Sequence, residues 1–226
     1  MSPVTIYPVT GIPEVGEGDD VAALIAAATP ALLPRDVVVI AHKIVSKAEG
    51  RVVASTDRLV EARREAVDVL RSTADMIIAE TRHGLVCANA GVDESNVAGN
   101  HVVLLPLDPD LSARRIRARL GHLTGADAAV IISDTFGRPW RLGQTNVAIG
   151  VAGMDPFVDY RGSLDHTGKE LVATRVCIAD ELAGAAEVVM GKASRIPAAI
   201  VRGVEANFGR GAASSIIRPL EEDLFR

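Results

Sequence analysis

Two short runs made only of apolar residues most constrain how this 226-residue chain can fold. One run covers residues 37–41 and the other covers residues 128–132. Runs that are this short and this uniformly apolar are typical of strands buried on both faces, whereas buried helices are usually longer. The pattern therefore predicts a β-sheet in the interior of the protein.

Strand and helix patterns are mixed along the rest of the chain, without a regular βαβ repeat. Apolar or alternating runs predict strands over residues 4–9, 76–79, 85–88, 102–105 and 198–201. Helical spacing predicts helices from about Val21, over 58–70, from Asp108 through Leu120, and over 174–190. This mixture favours an α+β fold with mixed or antiparallel sheets and packed helices over a doubly wound parallel sheet.

The chain is interpreted as a single region over residues 1–226, with two closely associated subdomains as the alternative. No linker, internal repeat or low-complexity tract interrupts it. The glycine-rich stretch from Gly203 to Ser215 is the best candidate for a flexible loop.

Composition argues against several classes of partner. The net charge is −5 and aromatic residues make up 3% of the chain, so neither a nucleic acid nor an anionic membrane is predicted as a partner. The longest apolar candidate, 21–33, is too short to span a membrane and contains Pro30. Cys87 and Cys177 lie far apart in apolar surroundings, which indicates buried reduced thiols. With no secretory signal visible, we expect a cytoplasmic protein.

Two aspartates lie in small-residue loops rich in hydrogen-bonding groups. Asp93 is in the segment 89–96 (Asn-Ala-Gly-Val-Asp-Glu-Ser-Asn), and Asp134 and Thr135 directly follow the second apolar run. Carboxylate and hydroxyl oxygens at the end of a buried strand suit hard cations such as magnesium or manganese. An aspartate after a strand serves as a turn former or a helix cap about as often as it binds a metal ion. Arg138 and Arg141 follow, and a guanidinium can bind phosphate or carboxylate with two parallel hydrogen bonds.

Three further segments carry groups that suit phosphate or a nucleoside. The turn 10–16 could hold a base or ribose through its backbone, the segment 42–51 carries Lys43 and Lys47, and the segment 190–197 offers backbone amides, Lys192 and Arg195. Ordinary loops, a solvated basic loop and a helix C-cap are the respective structural alternatives. The sequence lacks the glycine-rich lead and Gly-Lys-Ser/Thr order of a P-loop, and no two histidines have the spacing of a zinc site. It also lacks a GxSxG motif and a Ser-His-Asp order, so serine-type acyl transfer is not predicted.

Five segments together resemble one family. They read Pro-Val-Thr-Gly-Ile-Pro, Val-Ser-Lys-Ala-Glu-Gly-Arg, Asn-Ala-Gly-Val-Asp-Glu-Ser-Asn, Ser-Asp-Thr-Phe-Gly-Arg-Pro-Trp-Arg, and Val-Met-Gly-Lys followed by Ile-Pro and Val-Arg-Gly. In this order and spacing they resemble the coenzyme F420-0:L-glutamate ligase family from about Thr5 to Phe225. Each segment alone would be a weak signal. The chain's last residues, 223–226, resemble the domain edge of fused forms of that family.

The resemblance implies a catalytic region with a gamma-glutamyl ligase-type α+β fold and an intertwined homodimer. It implies a GTP-dependent ligase that adds L-glutamate to the lactyl carboxylate of coenzyme F420-0 through an acyl phosphate, and then extends a γ-linked oligoglutamate tail. Manganese or magnesium is the implied divalent ion, and potassium is also favourable. Metal-dependent nucleotide phosphohydrolysis and a non-catalytic nucleotide-binding module remain the alternatives on the same scaffold.

The resemblance also implies roles for individual residues. Asp93, Asp134 and Thr135 are the implied metal ligands, and Arg138 and Arg141 could hold an acidic group of the acceptor or the incoming glutamate. The implied nucleotide-binding residues are Ile12, Pro13, Glu14, Val15, His42, Lys47, Asn96, Met190, Gly191, Lys192, Ala193, Ser194 and Arg195.

Two residues depart from the family pattern. The family often has a small hydroxyl residue where His42 stands, and Glu or Gln where Lys192 stands. Because a protonated lysine is a poor metal ligand, we expect Lys192 to contact phosphate and a second metal ion to be held more weakly.

Overall fold

The computed structural model describes residues 3–29, 31–97 and 99–224. Phe225 and Arg226, the last two residues of the segment 223–226 that resembles the domain edge of fused forms, lie outside the described residues. The helices are α1 (Val21–Ala28), α2 (His42–Ala48), α3 (Arg58–Glu65), α4 (Pro109–Thr124) and α5 (Ile178–Met190). The first six strands are β1 (Thr5–Val9), β2 (Val37–Ala41), β3 (Val52–Ala54), β4 (Ala66–Ser72), β5 (Ile77–Thr81) and β6 (Val86–Ala88). The remaining strands are β7 (His101–Val103), β8 (Ala129–Arg138), β9 (Arg141–Ala152), β10 (Val158–Asp159), β11 (Arg175–Val176) and β12 (Ala198–Arg202).

A five-stranded sheet with the order β1-β12-β2-β8-β9 forms the centre of the molecule. The two apolar runs of the sequence are its neighbouring strands β2 and β8, which pair in parallel, whereas the other pairs are antiparallel. Val38 and Ile40 pack on one face with residues of α1 and α4, and Val37 and Val39 pack on the other with α5. The predicted buried strands are therefore confirmed, because helices cover both faces of the sheet.

Smaller sheets complete the α+β architecture and confirm the predicted fold class. The sheet β4-β5-β6 packs with α3 over a separate apolar cluster, and β3 pairs with β7. Strands β10 and β11 form a short antiparallel ribbon. The strands predicted over 76–79 and 85–88 are present as β5 and β6, which pair antiparallel.

Two predicted helices have different bounds in the structure. The helix predicted over 58–70 ends at Glu65, where Ala66 adopts extended angles and the chain continues as β4. Pairing of β4 with β5 overrides the helical spacing, and alternating Val67 and Val69 suit a strand. The helix predicted over 174–190 begins only at Ile178, because residues 175–176 pair with β10.

The helix α4 confirms its predicted start and corrects its predicted end. The Asp108 carboxylate accepts a hydrogen bond from the backbone N–H of Leu111 at 2.9 Å, as an N-cap does. The helix continues past Leu120 to Thr124, where Gly125 takes a left-handed φ of 72° that favours glycine.

The stretch predicted as a flexible loop is fixed at its far end by a buried carboxylate. Asp110 accepts hydrogen bonds from the backbone N–H groups of Ala213 at 2.7 Å, Ser214 at 3.1 Å and Val151 at 2.9 Å. Residues Ala213–Ile216 form a 3-10 turn at this point. The carboxylate thus joins the start of α4 to β9 and to this turn.

Both cysteines are free thiols, but only Cys87 is fully buried, since Cys177 is half-buried. Burial raises the pKa of each thiol to about 12. None of the described helices combines the length and the apolar character needed to cross a membrane.

Candidate active site

A cleft of about 570 Å³ gathers most of the residues that the sequence singled out. Its wall is built from the ends of β2 and α5, the start of α2, the middle of β8 and β9, and the loops near residues 12–15, 93–96 and 190–197. The lining includes these predicted residues: Ile12, Pro13, Glu14, Val15, His42, Lys47, Asp93, Asn96, Asp134, Thr135, Met190, Gly191, Lys192, Ala193 and Arg195.

Three predicted residues are outside the cleft lining. Ser194 turns towards Gly191 within the 190–197 loop. Arg138 and Arg141 are exposed at the tip of the β8–β9 hairpin, where Arg138 Nη2 donates to the carbonyl oxygen of Leu142 at 3.2 Å. Any contact of these two arginines with a ligand must therefore be made at the hairpin tip.

The Asp93 carboxylate is held by its own loop and by a lysine from α2. Its Oδ1 accepts the backbone N–H of Ser95 at 2.6 Å, and its Oδ2 lies 2.8 Å from Nζ of Lys43. The same Nζ donates to Ser95 Oγ at 2.5 Å and to Asn96 Oδ1 at 3.1 Å. Burial raises the pKa of the Asp93 carboxyl, but the bonds from Lys43 and Ser95 outweigh burial and hold the pKa below its ordinary value. Asp93 is therefore an anion at neutral pH.

The Asp134 carboxylate lies in the middle of a strand, not at the end of one as its sequence position suggested. Strand β8 continues to Arg138 and pairs Asp134 with Val147 of β9. The Asp134 Oδ1 accepts the backbone N–H of Thr135 at 2.6 Å, and Nε2 of His42 lies 3.2 Å from the same oxygen. Its side chain is only 13% exposed.

His42 lies beneath Asp134 in the first turn of a helix, whereas the sequence suggested a loop for this basic segment. Its ring is buried, and Nδ1 lies 3.3 Å from Ser46 Oγ. Its Nε2 has no described hydrogen-bond partner of good geometry, although Asp134 is at ion-pair distance. The buried His42 ring thus contacts the Asp134 carboxylate from the protein interior.

Lys47 extends from the last turn of α2 to the turn 10–16. Its ammonium forms an ion pair with Glu14, whose side chain is 83% exposed. The pair connects two segments that the sequence assigned separately to nucleotide binding. Since Lys43 and Lys47 are four residues apart on one helix, the same helical face supplies a cation to each side of the cleft.

Lys192 reaches the predicted metal ligand Thr135 from the opposite wall. Its Nζ donates to Thr135 Oγ1 at 2.5 Å and to Asn146 Oδ1 at 3.2 Å, and it lies 3.0 Å from Glu187 Oε1. Asn146 also accepts from Thr135 Oγ1 at 2.7 Å and donates to Glu187 Oε2 at 2.9 Å. Thr135 Oγ1 therefore bonds to two side chains, Lys192 and Asn146, and both of these contact Glu187.

The residues fit one divalent ion better than two. Asp93 and Asp134 offer two hard carboxylates on the lining of one cleft, and within the described residues no side chain donates to Oδ2 of Asp134. The described part of the chain contains no group of three or more His, Cys, Asp or Glu side chains placed to hold a metal ion. Phosphate oxygens and water would have to complete the ligands, as they commonly do for Mg²⁺. At Thr135 the Lys192 ammonium lies 2.5 Å from the hydroxyl oxygen that was predicted as a metal ligand.

Sequence reasoning missed three polar residues that shape the cleft. Asn146 and Gln144 come from β9, and Glu187 comes from α5. Asn146 faces Thr135 only because of the β8–β9 register, in which these two residues are partners. Residues 144–149 read Gln-Thr-Asn-Val-Ala-Ile, without polar–apolar alternation, so no local pattern indicated that Asn146 faces the cleft.

Comparison with known proteins identifies the class of this protein as a ligase. Residues 11–69 and 58–203 match the sequence profile of the family described as F420-0:Gamma-glutamyl ligase. The chain belongs to this family.

The chain is similar to curated relatives over almost their whole length. It is 45% identical to the Coenzyme F420:L-glutamate ligase of Methanothermobacter thermautotrophicus over 249 aligned positions, covering 99% of each chain. It is 44% identical to the protein of that name from Methanopyrus kandleri, covering 98% of this chain and 97% of the relative. The protein of that name from Archaeoglobus fulgidus is 37% identical, with 99% and 96% covered.

Proposed function

We propose that this protein is a GTP-dependent ligase that adds L-glutamate to the lactyl carboxylate of coenzyme F420-0 and extends a γ-linked oligoglutamate tail. Family membership and the names of relatives that align end to end support the acceptor and the amino acid. The proposal places the protein in coenzyme F420 biosynthesis.

The observation that carries the proposal is the meeting of anions and cations in one cleft. Asp93 and Asp134 are on the same lining as Lys43, Lys47 and Lys192. Carboxylates that hold a metal ion and lysines that bind phosphate are the groups needed by a polyphosphate chelated to Mg²⁺ or Mn²⁺. The turn 12–15 closes the same cleft and would contact the nucleoside.

The chemistry explains why phosphate binding belongs in an amide ligase. A carboxylate does not condense with an amine in water unless it is activated. The lactyl carboxylate attacks the γ-phosphorus of GTP and releases GDP, which gives an acyl phosphate. The glutamate amine then attacks the acyl carbon, loses a proton and expels inorganic phosphate. No protein nucleophile is required.

The residues have separate tasks in this scheme. Asp93 and Asp134 would hold a divalent ion, manganese or magnesium, which supplies charge neutralisation at the phosphates when it is bound. Lys47 leaves Glu14 to bind a phosphate oxygen. His42 holds Asp134 in position. Arg138 and Arg141 at the hairpin tip would bind an acidic group of the acceptor or of glutamate.

We further propose a favourable effect of potassium, as the family resemblance implies. We also propose a homodimer. Beside the two arginines, the β8–β9 hairpin tip carries Trp140 at 82% exposure and Leu142 at 99%. Large apolar side chains exposed together commonly mark a protein–protein contact. A partner subunit covering this tip would remove them from water.

One assay separates this proposal from its alternatives. GTP consumption is measured with neither, either or both of F420-0 and L-glutamate, and the deazaflavin product is weighed by mass spectrometry. A ligase consumes GTP only with both substrates and adds the mass of one or more glutamates. Hydrolysis without them would indicate a phosphohydrolase, and no consumption in any mixture would indicate a binding module.

A further inference from the structure

Three oxygen atoms surround Nζ of Lys192 in the wall of the cleft. They are Thr135 Oγ1 at 2.5 Å, Glu187 Oε1 at 3.0 Å and Asn146 Oδ1 at 3.2 Å. They come from β8, α5 and β9 respectively, so three different elements meet at one ammonium. Hydroxyl, carboxylate and amide oxygens are also the ligands that hard divalent ions use. The ammonium therefore lies in a cage that could otherwise hold a metal ion.

Each hydrogen-bond donor of the Lys192 ammonium has an acceptor in this cage. An ammonium has three donors, and each of them has one of the three oxygens as its acceptor. Asn146 is buried, and its Nδ2 donates to Glu187 Oε2 at 2.9 Å while its Oδ1 accepts from Thr135. Those contacts determine the orientation of its amide group. Glu187 balances the charge of Lys192, so the cage is electrically compensated without a metal ion.

We propose that the Lys192 ammonium takes the place of a second divalent ion, so that the ligase site binds one divalent ion, on Asp93 and Asp134. This inference rests on the proposed function. A Mg²⁺ ion bound to Thr135 Oγ1 would be about 2.1 Å from that oxygen, whereas Nζ is already 2.5 Å from it. The two cations would then repel each other at close range, with one carboxylate to shield them. Glu187 and Asn146 are positioning residues, because they act through Lys192.

Removal of the ammonium alone should convert the cage into a metal site. Lys192→Met keeps most of the aliphatic stem but leaves the Thr135, Asn146 and Glu187 oxygens without their cation. The side chain of Lys192 is 59% exposed, so the substitution should not disturb the core. Lys192→Gln provides a second neutral variant if the first melts early.

The test counts Mn²⁺ ions bound per chain. Protein with and without saturating GDP is titrated with Mn²⁺, free Mn²⁺ is measured by electron paramagnetic resonance, and GDP without protein supplies the background. The wild type should bind one ion per chain and Lys192→Met two. Adding Glu187→Gln to that variant should return the count to one. Lys169→Ala, which removes an exposed lysine that is not part of the cleft lining, should leave the wild-type count at one.

The outcomes distinguish this inference from the proposed function. Two ions in the wild type, or one ion in both neutral Lys192 variants, would overturn the inference while leaving the ligase assay intact. No saturable Mn²⁺ in either arm would also overturn it. If GTP turnover with both substrates is then independent of Mn²⁺ as well, the metal-dependent ligase function itself fails.

Discussion

The ammonium of Lys43 lies 2.8 Å from Oδ2 of Asp93, so a lysine of α2 already neutralises a predicted metal ligand. A divalent ion must share this carboxylate with Lys43 or displace it. Displacement would free the ammonium for a phosphate oxygen on the same cleft wall. Metal binding and phosphate binding are thereby coupled through one side chain.

Replacing Lys43 should change how the Asp93 carboxyl titrates. Lys43→Met removes the bonds that outweigh burial, so the pKa of Asp93 should rise above its wild-type position. Carbon-detected NMR titration of the carboxyl carbon measures this directly. An unchanged Asp93 pKa would mean that the backbone N–H of Ser95 alone keeps it low.

The same pair predicts a dependence of stability on pH. Because the folded pKa of Asp93 is lowered, its contribution to stability is present above the unfolded value of about 3.9 and is lost as pH falls through the folded pKa. The difference in unfolding free energy between wild type and Lys43→Met should therefore be constant near neutral pH and shrink as pH falls through the Asp93 pKa of the variant towards the lower pKa of the wild type. Urea unfolding at several pH values measures it.

Asp134→Asn should remove activity while preserving the fold. The amide retains the shape but loses the charge that a divalent ion needs, and loss of about 3 kcal/mol of transition-state stabilisation corresponds to a rate loss of more than about 100-fold. Steady-state turnover over a range of Mn²⁺ concentrations measures this. Asp159→Asn, at an exposed position in the ribbon, is the matched control and should be active. Normal metal-dependent turnover of Asp134→Asn would remove Asp134 from the metal site.

Lys47→Ala should weaken GTP binding by about 1.5–3 kcal/mol, the range for hydrogen bonds to charged groups. Lys47 pairs with the exposed Glu14, which leaves it able to exchange partners. Calorimetry with GDP and GTP measures the loss, and Lys169→Ala is the control. Unchanged affinity would leave Lys47 as a structural partner of Glu14 only.

The sequence predicts best those features that depend on neighbours along the chain. The buried strands β2 and β8 and the Asp108 cap have local signals, and the structure confirms them. Contacts made through tertiary pairing have no such signal. Asn146 meets Thr135 through hairpin register, and Glu187 meets Asn146 through packing of α5 on β9. The end of α3 was missed for the same reason, because pairing with β5 converts residues 66–70 into a strand.

Asp110→Ala should destabilise the protein without altering the chemistry. It would leave three backbone N–H groups, those of Val151, Ala213 and Ser214, without the carboxylate that they share. Hydrogen bonds to charged groups each contribute about 1.5–3 kcal/mol, so a total loss of about 3 kcal/mol or more is expected. Urea unfolding measures the loss, and turnover per folded molecule should stay at the wild-type level. A change below about 1 kcal/mol would show that water replaces the carboxylate.

His42→Ala should weaken metal binding and leave metal-free nucleotide binding unchanged. The ring is 2% exposed and its Nε2 faces Asp134 Oδ1 at 3.2 Å, so it contacts the predicted metal ligand from behind. Side chains that orient a ligand in this way typically change metal affinity by about 10–100-fold when removed. Mn²⁺ titration in the presence of GDP measures this, and His122→Ala on the exposed face of α4 is the control. Calorimetry of GDP binding without metal, on the wild type and His42→Ala, shows whether the substitution affects nucleotide binding itself. A loss of GDP affinity there, with Mn²⁺ affinity intact, would make His42 a direct nucleotide contact, as the family resemblance implied.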